Sequence, residues 1–194
     1  MTDQPTNPAE PGDDKPIVQQ YSHQSVAARV PERVARGVYC TGQIILDSPK
    51  EFVIDFLQAL TRPHSVVARV IMHPATMAEF IGALRQNVDN YTKTYGPPTT
   101  LPPPPQQPRP SIQEVYDNLK LPEDLLSGSY ANTVLIGHSI TEFFFDFITS
   151  FYPTSAVAVR VFLPAPQVPR FLNTLTTALQ QYQSRYQPPP QQMP

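Results

Sequence analysis

Cysteine occurs once in the 194 residues, glycine seven times and tryptophan not at all. A lone thiol, Cys40, excludes intramolecular disulfides and cysteine-built metal sites. No glycine-rich phosphate loop is present, and no acid pair sits in a recognisable catalytic frame. Charged residues are only 15% of the chain, and the net charge of -2 supplies no general attraction to phosphate backbones or anionic membranes. No run of about 18 apolar residues occurs, so no membrane-spanning helix is expected. The start, Met1-Thr2-Asp3-Gln4-Pro5, lacks a basic region followed by an apolar stretch, so no signal peptide is expected. His23, His64, His73 and His138 occupy four unrelated places without the i, i+4 spacing that metals exploit. No cofactor or metal is expected, and a reducing cytoplasm suits the chain best.

What the chain has in excess is proline, 25 residues in all. They gather in the first tail (Pro5, Pro8, Pro11, Pro16), mid-chain (Pro97, Pro98, Pro102 to Pro105, Pro108, Pro110) and at the end (Pro188 to Pro190, Pro194). Such stretches lack the apolar content that offsets ordering entropy, so they read as disordered tails and a linker. The expected organisation is a tail at 1–29, a module at 30–96, a proline-rich linker at 97–120, a second module at 121–187 and a tail at 188–194. Within the linker, Pro105-Gln106-Gln107-Pro108-Arg109 is formally a P-x-x-P ligand; a tract so rich in proline makes such matches by chance, and it reads as spacer.

The two modules are copies of each other. Shifting the chain by 91 positions, from Pro31 to Pro122, superimposes them without a gap. Seventeen of the 67 aligned positions (30–96 on 121–187) are then identical, against about four for random pairing. The identities include Pro31-Glu32 on Pro122-Glu123, Gly37 on Gly128 and Tyr39 on Tyr130. Further along, Ser48, Glu51-Phe52 and Asp55-Phe56 fall on Ser139, Glu142-Phe143 and Asp146-Phe147, and Arg69-Val70 on Arg160-Val161.

Each copy reads alike. A glycine-closed turn leads into a strand (38–46; 129–136), a turn at Ser48 or Ser139, and a second strand (51–58; 142–149) that alternates apolar and polar residues. A third strand follows (65–72; 156–163). The unit closes on a helix whose stripe is Met77, Phe80, Ile81, Leu84, Val88, Tyr91, Tyr95 in one copy and Val168, Phe171, Leu172, Leu175, Leu179, Tyr182, Tyr186 in the other. Pro74 and Pro166 fit helix starts, and Pro169 is tolerable only within a first turn. The fold class is therefore α+β, two tandem β-β-β-α modules.

A module of about 67 residues buries too little surface to be secure alone. Its second strand is apolar on both faces, since Val53 and Phe144 point opposite to Phe52 and Phe143. One face is expected to meet the module's own helix and the other the sister module, giving a single-chain pseudo-dimer with approximate twofold symmetry. Val53, Phe144, Tyr91, Tyr95, Tyr182 and Tyr186 are the candidate interface. For the tyrosines, packing with a wet hydroxyl is the plain account; stacking on nucleic-acid bases lacks a basic patch.

Asp55 and Arg69 are equidistant from Arg62, and Asp146 and Arg160 from Pro153. If strands two and three form a hairpin, each Asp faces its Arg. The plain reading is a cross-strand ion pair that fixes register, worth about 0.2–1 kcal/mol. The functional reading is an anion site at the twofold axis where Arg69 and Arg160 converge in one cleft. Ser48 with Glu51 and Ser139 with Glu142 have capping-box spacing, but ahead of a strand the hydroxyl is expected to stabilise a turn. Cys40 aligns with Ala131 and has no partner histidine, so no nucleophile is expected.

The succession P-E…G-x-Y-A-N, S-x-x-E-F-x-x-D-F, A-x-R-V and a Tyr-ended helix resembles a family of short bacterial domains of unknown function. The second copy carries it most fully, in Pro122-Glu123, Gly128, Tyr130-Ala131-Asn132, Ser139, Glu142-Phe143, Asp146-Phe147 and Arg160-Val161. The first copy departs at Cys40-Thr41. The resemblance implies a bacterial, cytoplasmic protein in fused double form and brings no catalytic residues with it. The leading expectation is a non-enzymatic structural or protein-interaction module whose partner is the sister module, with an unidentified protein or a second copy beyond it. The alternatives are a small-ligand or anion-binding protein using the cleft near Arg69 and Arg160, and a single-stranded nucleic-acid binder. No membrane partner is expected.

Overall fold

The computed structural model describes residues 28–102, 110–151 and 153–186. The outer parts of both expected tails, His23 and the P-x-x-P stretch through Arg109 lie outside the described residues. The chain is mixed α+β. Its first half runs through a helical turn α1 (Glu32–Ala35), β1 (Val38–Tyr39), β2 (Gly42–Asp47), β3 (Phe52–Gln58), β4 (His64–Met72) and α2 (Pro74–Tyr95). A short helix α3 (Ile112–Asp117) and β5 (Leu119–Lys120) follow, then a 3-10 turn (Glu123–Leu125). The second half repeats β6 (Ser129–Tyr130), β7 (Thr133–His138), β8 (Glu142–Thr149), β9 (Ala156–Pro164), a 3-10 turn (Ala165–Gln167) and α4 (Val168–Tyr186).

Two sheets result, ordered β1-β9-β8-β7 and β2-β3-β4-β5, with β6 also paired to β4. Each three-strand meander is antiparallel and internal to one half. The short lead-in strands are exchanged: β1 runs parallel to β9 through Val38↔Val161, and β6 parallel to β4 through Val70↔Ser129. The strand expected at 38–46 is thus broken in two, and so is its counterpart at 129–136. The break falls at Cys40 and Ala131, both fully buried, whose amides donate to Phe162 O and Ile71 O of the opposite half. Only a small side chain suits this crossing point, where the chain leaves one sheet for the other.

The expectation that each module's inner face meets its own helix needs correcting. Both inner faces and both helices share one core. Phe80 of α2 packs on Phe145 and Phe147 of β8, at centroid distances of 5.8 and 5.7 Å. Phe171 of α4 packs on Phe56 of β3 at 5.8 Å as well as on Phe145 of its own half at 5.6 Å. Phe56 and Phe147 meet directly at 5.5 Å. The periodic stripe shows that a helix has an apolar face, but not which sheet it covers. Pro74 opens α2 and Pro169 falls in the first turn of α4, where a missing N–H leaves nothing unsatisfied.

The spacer at 97–120 also needs correcting at its C-terminal end. Ser111 and Glu114 form a reciprocal capping box that starts α3, and β5 pairs with β4 through His64↔Leu119 and Ser65↔Lys120. The local hydrogen bonds of the box stabilise a short helix that composition alone would leave as linker. The first tail likewise ends early, because Arg29 bridges Ala156 in the same way that Lys120 bridges Ser65.

Candidate functional site

The strand ladders set Asp55 opposite Arg69 and Asp146 opposite Arg160. Arg69 Nε and Nη2 donate to the two Asp55 oxygens at 2.7 and 2.7 Å, and Arg160 Nε and Nη2 to those of Asp146 at 2.6 and 2.7 Å. These bidentate bonds are charge-assisted, the strong kind. Asp55 is 0% exposed and Asp146 5%. Both guanidinium groups are raised above their ordinary pKa, chiefly by the hydrogen bonds they donate to their aspartates. Each arginine also reaches across to the other half: Arg69 Nη1 donates to Leu126 O at 3.2 Å, and Arg160 Nη1 to Ala35 O at 3.3 Å. The pair therefore fixes register and clamps the exchanged lead-in turn.

Gly37 and Gly128 end those turns with φ of 64° and 66°, the left-handed region that glycine adopts without strain. A Cβ on Gly37 would lie 2.5 Å from the Phe162 ring, and one on Gly128 would lie 2.9 Å from Ile71 Cδ1. Their backbones thus press directly on the strands they join.

At the other end of the molecule the tyrosines do the same work. Tyr91 Oη donates to Ile140 O at 2.8 Å, and its ring lies 5.3 Å from Phe143. Tyr182 Oη donates to Pro49 O at 3.1 Å, and its ring lies 5.1 Å from Phe52. Tyr95 and Tyr186 extend each pair outward, Tyr95 touching His138 and Tyr186 touching Tyr182 and Arg185. Arg185 adds an ion pair to Asp47 of the first half. His138 packs among Tyr91, Tyr95 and Phe143, and its buried Nδ1 has no partner among the described residues.

Val53 and Phe144 sit on the outer sheet faces and are half-buried. Val53 pairs with Leu46 and Ile71, and Phe144 with Gly137 and Phe162, under the Arg160 guanidinium at 5.8 Å. The sister module's lead-in turn presses on the neighbouring third strand, at Ile71 in one half and Phe162 in the other. The glycine at 137 lets the Phe144 ring lie flat on the strand, where the first copy has the pair Leu46 and Val53.

Three features lie outside the sequence reading. Tyr116 of α3 donates a short hydrogen bond to Asp55 Oδ2, and its phenol is pushed up to about 12, first by burial and then by that carboxylate. The signal for it was the Ser111-Ile112-Gln113-Glu114 cap. Tyr130 and Phe151 stack in parallel on the surface, centroids 6.0 Å apart. A cleft of about 450 Å³ opens between the halves, lined by both lead-ins and the middles of β4 and β9. Arg160 lines it and Arg69 does not, so the two arginines do not converge there.

Ser48 and Ser139 hold tight turns: each accepts from the amide of Glu51 or Glu142 and donates to that residue's carboxylate. Cys40 is buried, and its thiol is pushed up to about 12 by that burial. Among the described residues no cluster of His, Cys, Asp and Glu could hold a metal ion, and no helix is long and apolar enough to cross a membrane.

A family model described as "Protein of unknown function (DUF3467)" matches the chain twice, over residues 1–100 and 103–188. No curated protein matches it.

Proposed function

The chain belongs to the DUF3467 family, and we propose that it is a non-enzymatic assembly module, a single-chain pseudo-dimer of two β-β-β-α modules that serves protein interaction in a bacterial cytoplasm. The observation that carries this reading is the reciprocal exchange. Each half's outer strand and helix complete the other half's sheet and core, with matching contacts on both sides. The two arginine–aspartate pairs are spent in the same exchange. Each guanidinium already serves its aspartate and a carbonyl of the other half, which also weakens the reading of Arg69 and Arg160 as a joint anion site. The lone thiol is protonated and enclosed, as suits a reducing compartment.

The surface offers an attachment point in the parallel Tyr130–Phe151 stack, both rings about half exposed. Aromatic pairs of this kind anchor protein interfaces. Separating residues 1–102 from 103–194 tests the pseudo-dimer reading. Each fragment alone is expected to be unfolded or self-associated, and mixing the two is expected to restore the circular dichroism and elution volume of the intact chain. A fragment that folds cooperatively as a monomer would refute it.

A further inference from the structure

The cleft between the halves is built on the weak points of both ladders. The register of β3 with β4 skips between Phe56 and Leu57, leaving Val67 without a residue opposite it. The register of β8 with β9 skips between Phe147 and Ile148 and leaves Ala158 in the same position. Such bulges bend a strand and re-aim its side chains, and they gather beside binding sites. Here both face the cleft, and with Ala68 and Val159 they give it an aliphatic floor.

The offset of 91 residues maps one wall onto the other, Val67 onto Ala158 and Ala68 onto Val159. It also maps Arg33 of one lead-in onto Asp124 of the other, and both line the cleft. Of the lining pairs that the offset relates, it is the one of opposite charge. Neither side chain has an ion pair or hydrogen-bond partner among the described residues. A near-symmetric apolar cleft thus carries a cation at one rim and an anion at the other. Its volume of about 450 Å³ falls within the range of small-molecule sites.

We infer that this cleft binds a zwitterion with an aliphatic body, a free amino acid or a short peptide. The carboxylate of the ligand meets the Arg33 guanidinium, a fork suited to bidentate contact. Its ammonium meets Asp124, and its aliphatic side chain covers the floor at Val67 and Ala158. Arg160 contributes only its stem, since its guanidinium is held by Asp146 and Ala35 O. The site depends on the pairing of the halves and not on any role in protein assembly.

The test is calorimetric titration of the intact chain with L-leucine, leucyl-leucine and trileucine, with 4-methylpentanoate and isoamylamine as controls of one charge. At least one zwitterion is expected to saturate, and the controls to bind at least about tenfold more weakly, the equivalent of one lost charge-assisted bond. Arg33→Asp and Asp124→Arg, both at exposed positions, should each weaken binding by about tenfold. The double variant R33D/D124R should regain it, because the walls are near-symmetric and the ligand can turn end for end. No saturable zwitterion binding, equal binding of a single-charge control, or failure of the double variant to recover would each overturn the inference.

Discussion

Replacing Asp55 by Asn puts the central ion pair to the test. The Asp55 carboxylate is 0% exposed and accepts from Arg69 Nε, Arg69 Nη2 and Tyr116 Oη. An amide of the same shape turns two N–H donors into this cluster of donors and leaves Arg69, 14% exposed, without its counter-charge. Removing one partner of a buried pair costs about 3–5 kcal/mol. The matching change, Asp146→Asn, breaks two bonds in a wetter setting, with the aspartate side chain 7% and Arg160 23% exposed. Its expected cost is about 1–3 kcal/mol, closer to that of a charged hydrogen bond lost near solvent. The two variants should thus differ by about 2 kcal/mol, or roughly 4–8 °C in midpoint for a chain of this length. Urea unfolding followed by circular dichroism measures this, since tryptophan is absent. The double variant Asp55→Leu with Arg69→Met should recover most of the loss, because an apolar pair of similar volume leaves no buried charge. Equal costs in the two halves, or a cost of less than about 1 kcal/mol at Asp55, would refute the burial argument and return the pair to the class of exposed cross-strand contacts.

Gly137→Leu alone should lose about 2–3 kcal/mol in the same assay, because a Cβ there would lie 2.2 Å from the Phe144 ring; adding Phe144→Val, which copies the Leu46–Val53 pair of the first half, should restore most of it. The raised pKa of Tyr116 means that the folded chain holds its proton after the unfolded chain has released it, so this group's contribution is full below pH 10 and is lost between pH 10 and 12. Tyr116→Phe should flatten that part of the stability curve, and an unchanged slope in denaturant titrations across it would count against the Asp55 contact. Cys40 titrates with the same sign from pH 9 up to about 12. Its thiol should resist a disulfide-exchange reagent at neutral pH in the folded chain and react at once in denaturant; rapid labelling without denaturant would contradict its burial.

The duplication, the meander registers and the helix stripes were legible because they depend on periodicity and spacing, which sequence displays directly. The equal distances from the hairpin midpoint were enough to place Asp55 against Arg69. What spacing could not display was how deeply the pair is buried, so its worth was set at that of an exposed contact. The exchange of lead-ins was hidden for a related reason. Val38-Tyr39 and Gly42–Asp47 form an uninterrupted apolar-leaning run, and nothing local says that the chain changes sheets at Cys40. The helices posed the same problem, since Phe80 and Tyr91 would lie on one helix face whichever sheet they covered. The linker helix was legible in principle through Ser111 and Glu114, and was obscured by the prolines around it.

Fusion of two copies in one chain permits differences that a homodimer cannot hold. In a symmetric pair, position 33 would bring the same charge to both rims of the axial cleft, two arginines or two aspartates facing one another. Here the rims differ, Arg33 against Asp124. Tyr116 serves the Asp55 pair, and the residue 91 positions before it is Ser25, which has no phenol to offer Asp146. The outer face keeps Leu46 with Val53 in one half and Gly137 with Phe144 in the other, trading volume between neighbours within a half. Changes of this last kind preserve packing and can accumulate by drift. The charge inversion at 33 and 124 preserves nothing in the core, since both side chains are exposed. On the pseudo-dimer reading, the pair that breaks symmetry without repairing a contact is therefore the place where the chain gained something by being one polypeptide.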